Sequence, residues 1–169
     1  MKISLVVLSM FFITFSACKK EEVSEQENIN VLKVKIGSAT YTWSDTDGVG
    51  SGAAPKIDTI RLTPNGSFVA DLAVQDGSTN PVKDLTPEII VEKDDHLFIY
   101  KPTTVNLTVS DLSKDSKSRN FGQTATLKTG AASSGTLQIT LKHLADKSAA
   151  DPSKTGETDL DVVFPVVVK

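Results

Sequence analysis

Apolar and polar residues alternate with a period of two along most of the chain after residue 30. The first example is Leu32, Val34 and Ile36, which are separated by lysines, so that one face of the segment is apolar. Such alternation is typical of a β-strand with one buried face and one hydrated face. The clearest alternation predicts strands at residues 67–75, 103–110 and 135–143.

Shorter apolar runs add further candidate strands, and no helical period of ten or more residues follows the N-terminal apolar segment. These candidates are residues 57–62, 88–92, 97–100, 123–128 and 158–168. Turn-forming clusters separate the runs, and Pro64-Asn65-Gly66 between two of them predicts a hairpin. The pattern predicts an all-β, immunoglobulin-like antiparallel β-sandwich of about seven to ten strands, with a β-barrel as the alternative. Leu107 and Ile139 are expected in its core.

The N-terminus predicts export. Residues 3–15 form an apolar run that is too short to cross a bilayer as a helix but suits the core of a signal peptide. Ser16 and Ala17 then precede Cys18, the only cysteine of the chain, and this order resembles the lipobox of bacterial lipoproteins. We therefore expect cleavage before Cys18 and lipidation of its thiol.

Three regions follow from these features. Residues 1–17 are the signal peptide, residues 18–29 the lipidated cysteine with a polar, flexible tether, and residues 30–169 a single β-sandwich domain. Acyl chains would hold the protein on the outer membrane, at its periplasmic face or at the cell surface. Basic residues are scattered and the mature chain has a net charge of about −4, so a nucleic-acid partner is not expected.

Two histidines carry the strongest candidate chemistry, because each ends a predicted strand beside acidic residues. Imidazole and carboxylate ligands suit zinc, copper or iron. The predicted ligands of one divalent-metal site are His96, His143, Glu92, Asp94, Glu157 and Asp159. The alternative is structural, with His143 hydrogen-bonded at the rim of the core and His96 at a solvated strand end.

Asp45 and Asp47 precede Gly48 and weakly resemble a fragment of a calcium loop, but an ordinary Asp-Gly turn is the favoured interpretation. Val49 stands where an EF-hand loop has its third acidic residue, and no glutamate follows at the closing position. No serine-nucleophile, phosphate-loop or dinucleotide motif is present, so an enzyme is not expected.

Four segments of the chain resemble a family of Bacteroidota lipoproteins often labelled "type 1 periplasmic binding fold superfamily protein". They read TWSDTDG at 42–48, EKDDHLFIY at 92–100, TGAASSGTL at 129–137 and GETD at 156–159. The charged residues 19–22 after the cysteine are also similar to the surface-export signal of such lipoproteins. The resemblance implies partnership with a TonB-dependent outer-membrane receptor. Family members often continue the second histidine with Glu and Pro, whereas Leu144 and Ala145 follow His143 here.

Two functions are compatible with these observations. The first is a membrane-anchored lipoprotein that binds a divalent metal or a metal complex and works with a TonB-dependent receptor. The second is a structural or adhesive surface module that binds protein or glycan. The fold class cannot separate them, because sandwiches host many functions, but convergence of His96 and His143 in space would favour the first.

Overall fold

The computed structural model of the protein describes residues 27–47 and 52–169. Strands account for 52% of the described residues and helices for 6%, with the strands arranged as two sheets, and this confirms the prediction of an all-β sandwich. Within the described residues neither sheet closes on itself, so the β-barrel alternative is wrong.

The larger sheet consists of β1 (Val31–Ile36), β2 (Ala39–Ser44), β3 (Lys56–Ile57), β5 (Ser67–Asp76), β6 (Lys83–Asp84), β8 (Leu107–Ser110) and β9 (Thr124–Thr129). The smaller sheet consists of β4 (Ile60–Leu62), β7 (His96–Thr103), β10 (Ser133–His143) and β11 (Glu157–Val168). Two short helical segments are α1 (Thr86–Val91) and a 3-10 turn (Pro152–Lys154). In the smaller sheet the order is β4-β11-β10-β7, which puts β10 between β7 and β11.

The alternating residues of both sheets face each other in one apolar core. In β10, Leu137, Ile139 and Leu141 are fully buried, while the alternating residues Gln138 and Thr140 are partly exposed. Leu107 of β8 is buried against them from the other sheet, so both predicted core residues are confirmed. Burial of one face of each strand is the interaction that holds the two layers together.

The strand predicted at 135–143 is β10, and the strand predicted at 67–75 is β5. The strand predicted at 103–110 is wrong in its first half, because β7 runs to Thr103 and β8 begins only at Leu107. Thr104 has a positive φ of 60°, which an extended strand does not accommodate. The chain therefore turns between the two sheets at this point.

Two local predictions are also wrong. Residues 88–92 were expected to form a strand, but residues 86–91 form α1, with Pro87 in its first turn, where proline favours helix initiation. Pro64-Asn65-Gly66 was expected to close a hairpin, yet it joins β4 of the smaller sheet to β5 of the larger one. The turn residues were recognised correctly, but turn chemistry does not specify which strand becomes the hydrogen-bonded neighbour.

The packed domain includes three residues that the sequence assigned to the tether. Ile29 is buried in the apolar core, the amide of Asn28 donates to Asp76 at the end of β5, and the side chain of Glu27 is 13% exposed. Asn30, the first residue of the predicted domain, donates its backbone N–H to the carbonyl of Gln75. The predicted signal peptide, Cys18 and the first part of the tether lie outside the described residues.

Candidate metal centre

The two histidines lie side by side at one end of the smaller sheet. His96 begins β7 and His143 ends β10, and the antiparallel register pairs these two residues directly. Their rings stack at 4.7 Å between centroids, with 5° between the ring planes. His143 follows the buried residues Leu137 and Leu141 in the same alternation, so its side chain lies on the core-facing side of the sheet. The side chain of His96, its direct partner on β7, lies on the same side. The side chain of His96 is only 1% exposed, which rules out a solvated strand end.

A β-bulge brings Asp159 to the same place. Leu141 pairs with Leu160 and Lys142 with Thr158, which leaves Asp159 as the extra residue of β11. A bulge changes the direction in which a side chain points, and the side chain of Asp159 is 3% exposed. Its Oδ2 lies 3.9 Å from Nε2 of His96.

Glu27 is the fourth member, and the sequence did not predict it. Its Oε2 lies 3.7 Å from Nε2 of His96, and its side chain is 13% exposed. Burial of Ile29 in the core and the hydrogen bond of Asn30 to β5 hold this part of the chain against the domain. Glu27 stands in a polar, charged stretch typical of a tether, and only the nearby apolar Ile29 indicates packing. Glu27, His96, His143 and Asp159 are called the imidazole–carboxylate site below.

Three buried polar atoms of this site have no hydrogen-bond partner among the described residues: Glu27 Oε2, His96 Nε2 and Asp159 Oδ2. Buried polar groups are nearly always hydrogen-bonded. The separations of 3.7 and 3.9 Å exceed normal N–H···O distances of about 2.7–3.2 Å. They approach the distance of about 3.4 Å that separates two ligands of a tetrahedral zinc ion with bonds of about 2.1 Å.

The orientation of His96 leaves Nε2 as a lone-pair donor. Its Nδ1 lies 3.2 Å from the carbonyl oxygen of Glu92. A carbonyl only accepts, so Nδ1 carries the hydrogen, and in the neutral ring Nε2 has the lone pair. Burial lowers the pKa of His96, which favours this neutral form. A backbone carbonyl that fixes the tautomer is the usual support of a metal-binding histidine.

The carboxylates of the site are poorly compensated. Burial, followed by the nearby charges of Asp159 and Glu92, raises the pKa of Glu27 to about 7. Burial also raises the pKa of Asp159. His143 and Lys142 lower the pKa of Asp159 and Lys83 lowers that of Glu27, but these charges do not offset the effect of burial. A divalent ion would supply further positive charge.

Of the other predicted ligands, Glu92 lies next to the site, whereas Asp94 and Glu157 do not belong to it. His96, His143 and Asp159 offer ligand atoms that all lie within 4.8 Å of one another, and Glu27, Glu92 and His96 form a second such group. Asp94 instead accepts hydrogen bonds from the N–H and hydroxyl of Ser116. Glu157 pairs with His143 in register but is exposed and belongs to neither group.

The calcium candidates Asp45 and Asp47 lie elsewhere in the fold. Asp45 is buried, and its Oδ1 has no hydrogen-bond partner among the described residues. Burial and then a hydrogen bond with Asp47 raise the pKa of Asp45, while the N–H of Ala53 donates to Oδ2 of Asp47 at 2.8 Å. Residues 48–51 of the same segment lie outside the described part, so the calcium candidate stays a prediction.

Comparisons with protein-family models, with curated proteins and with solved structures find no match to this chain. Among the described residues, no helix has the length and apolar character needed to cross a membrane. Cys18 lies outside these residues, so its lipidation stays a prediction.

Proposed function

We propose that this protein is an exported, lipid-anchored lipoprotein that binds a divalent metal ion at the imidazole–carboxylate site. Its two imidazoles and two carboxylates come from the N-terminal segment, β7, β10 and β11, so elements distant in sequence contribute to one point. The adhesive module lacks an equivalent explanation for the pairing of the two histidines.

One observation carries the proposal. Three buried atoms that can each bind a cation, Glu27 Oε2, His96 Nε2 and Asp159 Oδ2, have no hydrogen-bond partner among the described residues, and both oxygens lie within 4 Å of that nitrogen. Leaving such atoms unpaired costs about 1–3 kcal/mol each, and more when they are charged. A bound ion would satisfy all three together.

The ligand set favours a transition metal over calcium or magnesium. Calcium and magnesium take oxygen ligands, whereas two imidazoles with carboxylates suit zinc, copper or iron. Zinc is the best fit, because four mixed nitrogen and oxygen ligands give its usual tetrahedral geometry.

The cellular role rests on sequence. The lipobox-like register of Ser16, Ala17 and Cys18 supports an anchor in the outer membrane. The resemblance to lipoproteins associated with TonB-dependent receptors supports delivery of the metal, or of a metal complex, to such a receptor. The protein would then capture a scarce ion and release it at the membrane.

Calorimetric titration of the mature protein with zinc, after chelator treatment, tests the proposal. The wild type should bind one zinc ion per chain, and His143→Ala should weaken binding by about 100-fold or more, because even supporting residues contribute 10- to 100-fold. Glu157→Gln is the matched control, since Glu157 is exposed beside His143 but outside the site. A wild type that binds no zinc, copper or iron at micromolar concentration would contradict the proposal and favour the adhesive module.

A further inference from the structure

The imidazole–carboxylate site is built at the point where the chain enters the domain. The N-terminal arm, residues 27–30, runs along the end of the larger sheet. Ile29 is buried, and the side chain of Asn30 accepts from the N–H of Gly77 at 2.6 Å. The amide of Asn28 donates to Asp76 and Ser78. These contacts secure residues 28–30 without any contribution from the ion site.

Glu27 is held differently from the rest of the N-terminal arm. Its Oε2 makes no hydrogen bond within the described residues and lies 3.7 Å from Nε2 of His96. The N–H of Ile29 donates to the carbonyl of Glu27 at 2.9 Å, which is a bond within the arm. Nothing in these contacts draws the carboxylate of Glu27 into the domain.

The charges around Glu27 oppose its burial when no ion is bound. Besides Asp159 in the site, Glu88 and Glu92 act on it from α1 and the following turn, and among the described residues Lys83 acts in the opposite direction. Lys83 forms its ion pair with Glu88, at 3.4 Å. Like charges at short range repel strongly where the local dielectric is low. A divalent cation between Glu27 and Asp159 would change this repulsion into attraction.

We infer that the bound ion fastens the N-terminal arm to the domain through Glu27, so that metal occupancy controls where the tether leaves the sandwich. This inference rests on the proposed function, because it requires an ion at the imidazole–carboxylate site. In the ion-free protein, repulsion by Asp159 and Glu92 releases Glu27, and the chain leaves the domain at Asn28. In the loaded protein, Glu27 becomes a ligand, and the departure point moves to the site itself.

The short tether affects how the bound ion could be released to a membrane partner. The nine peptide steps from Cys18 to Glu27 can span at most about 30 Å. A lipid on Cys18 would therefore keep the loaded site close to the membrane surface. A membrane partner that displaces Glu27 would remove a ligand and loosen the arm in one step, which couples docking to ion release.

Hydrogen exchange at the amide of Ile29, measured by NMR in the mature chain with and without zinc, tests the coupling. This amide reports directly, because its acceptor is the carbonyl of Glu27. Zinc at about 100 times its Kd should slow the exchange by about tenfold or more. The amide of Asn65, bonded to the carbonyl of Gly130 in an exposed turn at the opposite end of β5, reports local opening away from the site, so it is the internal reference and should change less.

The variant Glu27→Gln separates the inference from the function on which it rests. This variant should still bind zinc through His96, His143 and Asp159, with affinity reduced about tenfold, but zinc should no longer protect the amide of Ile29. Zinc binding by the wild type without slower exchange at Ile29 would overturn the inference and leave the metal function standing. Equal protection in the variant would also overturn it. A wild type that binds no metal would overturn both.

Discussion

Two buried clusters of charged residues in this protein differ in the partners that their carboxylates have. In the salt-bridge cluster (Asp115, Arg119 and Lys147), the side chain of Asp115 is fully buried and lies 2.8 Å from the Arg119 guanidinium and 3.3 Å from the Lys147 ammonium. Its other oxygen accepts from the N–H of Lys117 and of Arg119. In the imidazole–carboxylate site, the buried oxygens Glu27 Oε2 and Asp159 Oδ2 have no hydrogen-bond partner among the described residues.

The pKa values of the two clusters move in opposite directions. Burial alone would raise the pKa of Asp115, but hydrogen bonds from the Arg119 backbone, from its guanidinium and from Lys147 lower it to about 2. Burial without such partners raises the pKa of Glu27 to about 7. A buried carboxylate with a complete set of partners is structural, whereas one without them indicates a position for a cation from outside the chain.

The largest expected effect is on the free energy of unfolding, when one carboxylate of each cluster is replaced. Asp115→Ala should lower the free energy of unfolding by about 3–5 kcal/mol, because it leaves the buried ammonium of Lys147 without its carboxylate. Asp159→Asn should change the stability of the ion-free protein by less than about 1 kcal/mol or increase it, because no protein hydrogen bond is lost. Urea unfolding in the presence of a chelator measures both values. Equal destabilisation by the two substitutions would contradict the distinction.

The second expected effect is a pH dependence of opposite sign in the two clusters. The folded pKa of Glu27 is raised from 4.5 to about 7, so the folded state binds the proton more tightly, and ion-free stability falls as pH rises through this window. The loss is at most about 3 kcal/mol, from 1.36 kcal/mol per unit, because release of the N-terminal arm from the site limits the destabilisation. The folded pKa of Asp115 is lowered from 3.8 to about 2, so its contribution is complete above the unfolded value and is lost as pH falls towards 2.

Urea midpoints between pH 4 and pH 8 for the wild type and Glu27→Gln measure the first of these slopes. The glutamine cannot ionise, so the decline between about 4.5 and 7 should become shallower in the variant, with a remainder from Asp159. Identical profiles would show that Glu27 does not titrate inside the fold. Asp115→Asn, examined at low pH, provides the matching measurement for the salt-bridge cluster.

A smaller effect is expected when the missing cation is supplied. Zinc at about 100 times its Kd should raise the free energy of unfolding by about 2.7 kcal/mol at neutral pH, since only the folded chain offers the assembled site. The stabilisation should disappear in His143→Ala and persist in Asp161→Asn, which alters a carboxylate on the same strand that is bonded to Gln138 and Thr140. Stabilisation retained in His143→Ala would place the ion elsewhere.

Alternation along the sequence predicted the layers of the fold but not how the strands connect. The period-two runs at β5 and β10 identified both strands within two residues, because burial of one face constrains every second side chain. The helix at 86–91 and the sheet crossing at Pro64-Asn65-Gly66 were missed. In both places the outcome depends on packing between distant segments, which a local pattern does not contain.

Half of the site was predictable for a similar reason. Each histidine lies at one end of a predicted strand. His143 also follows Leu137, Ile139 and Leu141 at every second position, and this alternation is visible in the sequence. Asp159 was one of two alternatives on its strand, and the bulge that selects it over Glu157 depends on the register with Lys142. Glu27 stands 69 positions before His96 in a charged segment, and no spacing rule connects two such residues.

Anomalous diffraction at the zinc edge, from crystals of the mature protein grown with zinc, tests the central claim most directly. We expect one strong peak about 2.0–2.2 Å from three ligands, which are Nε2 of His96, an imidazole nitrogen of His143 and the carboxylate of Asp159. Glu27 should be the fourth ligand. A protein saturated with zinc whose peak lies away from His96 and His143, or which shows no peak, would contradict it.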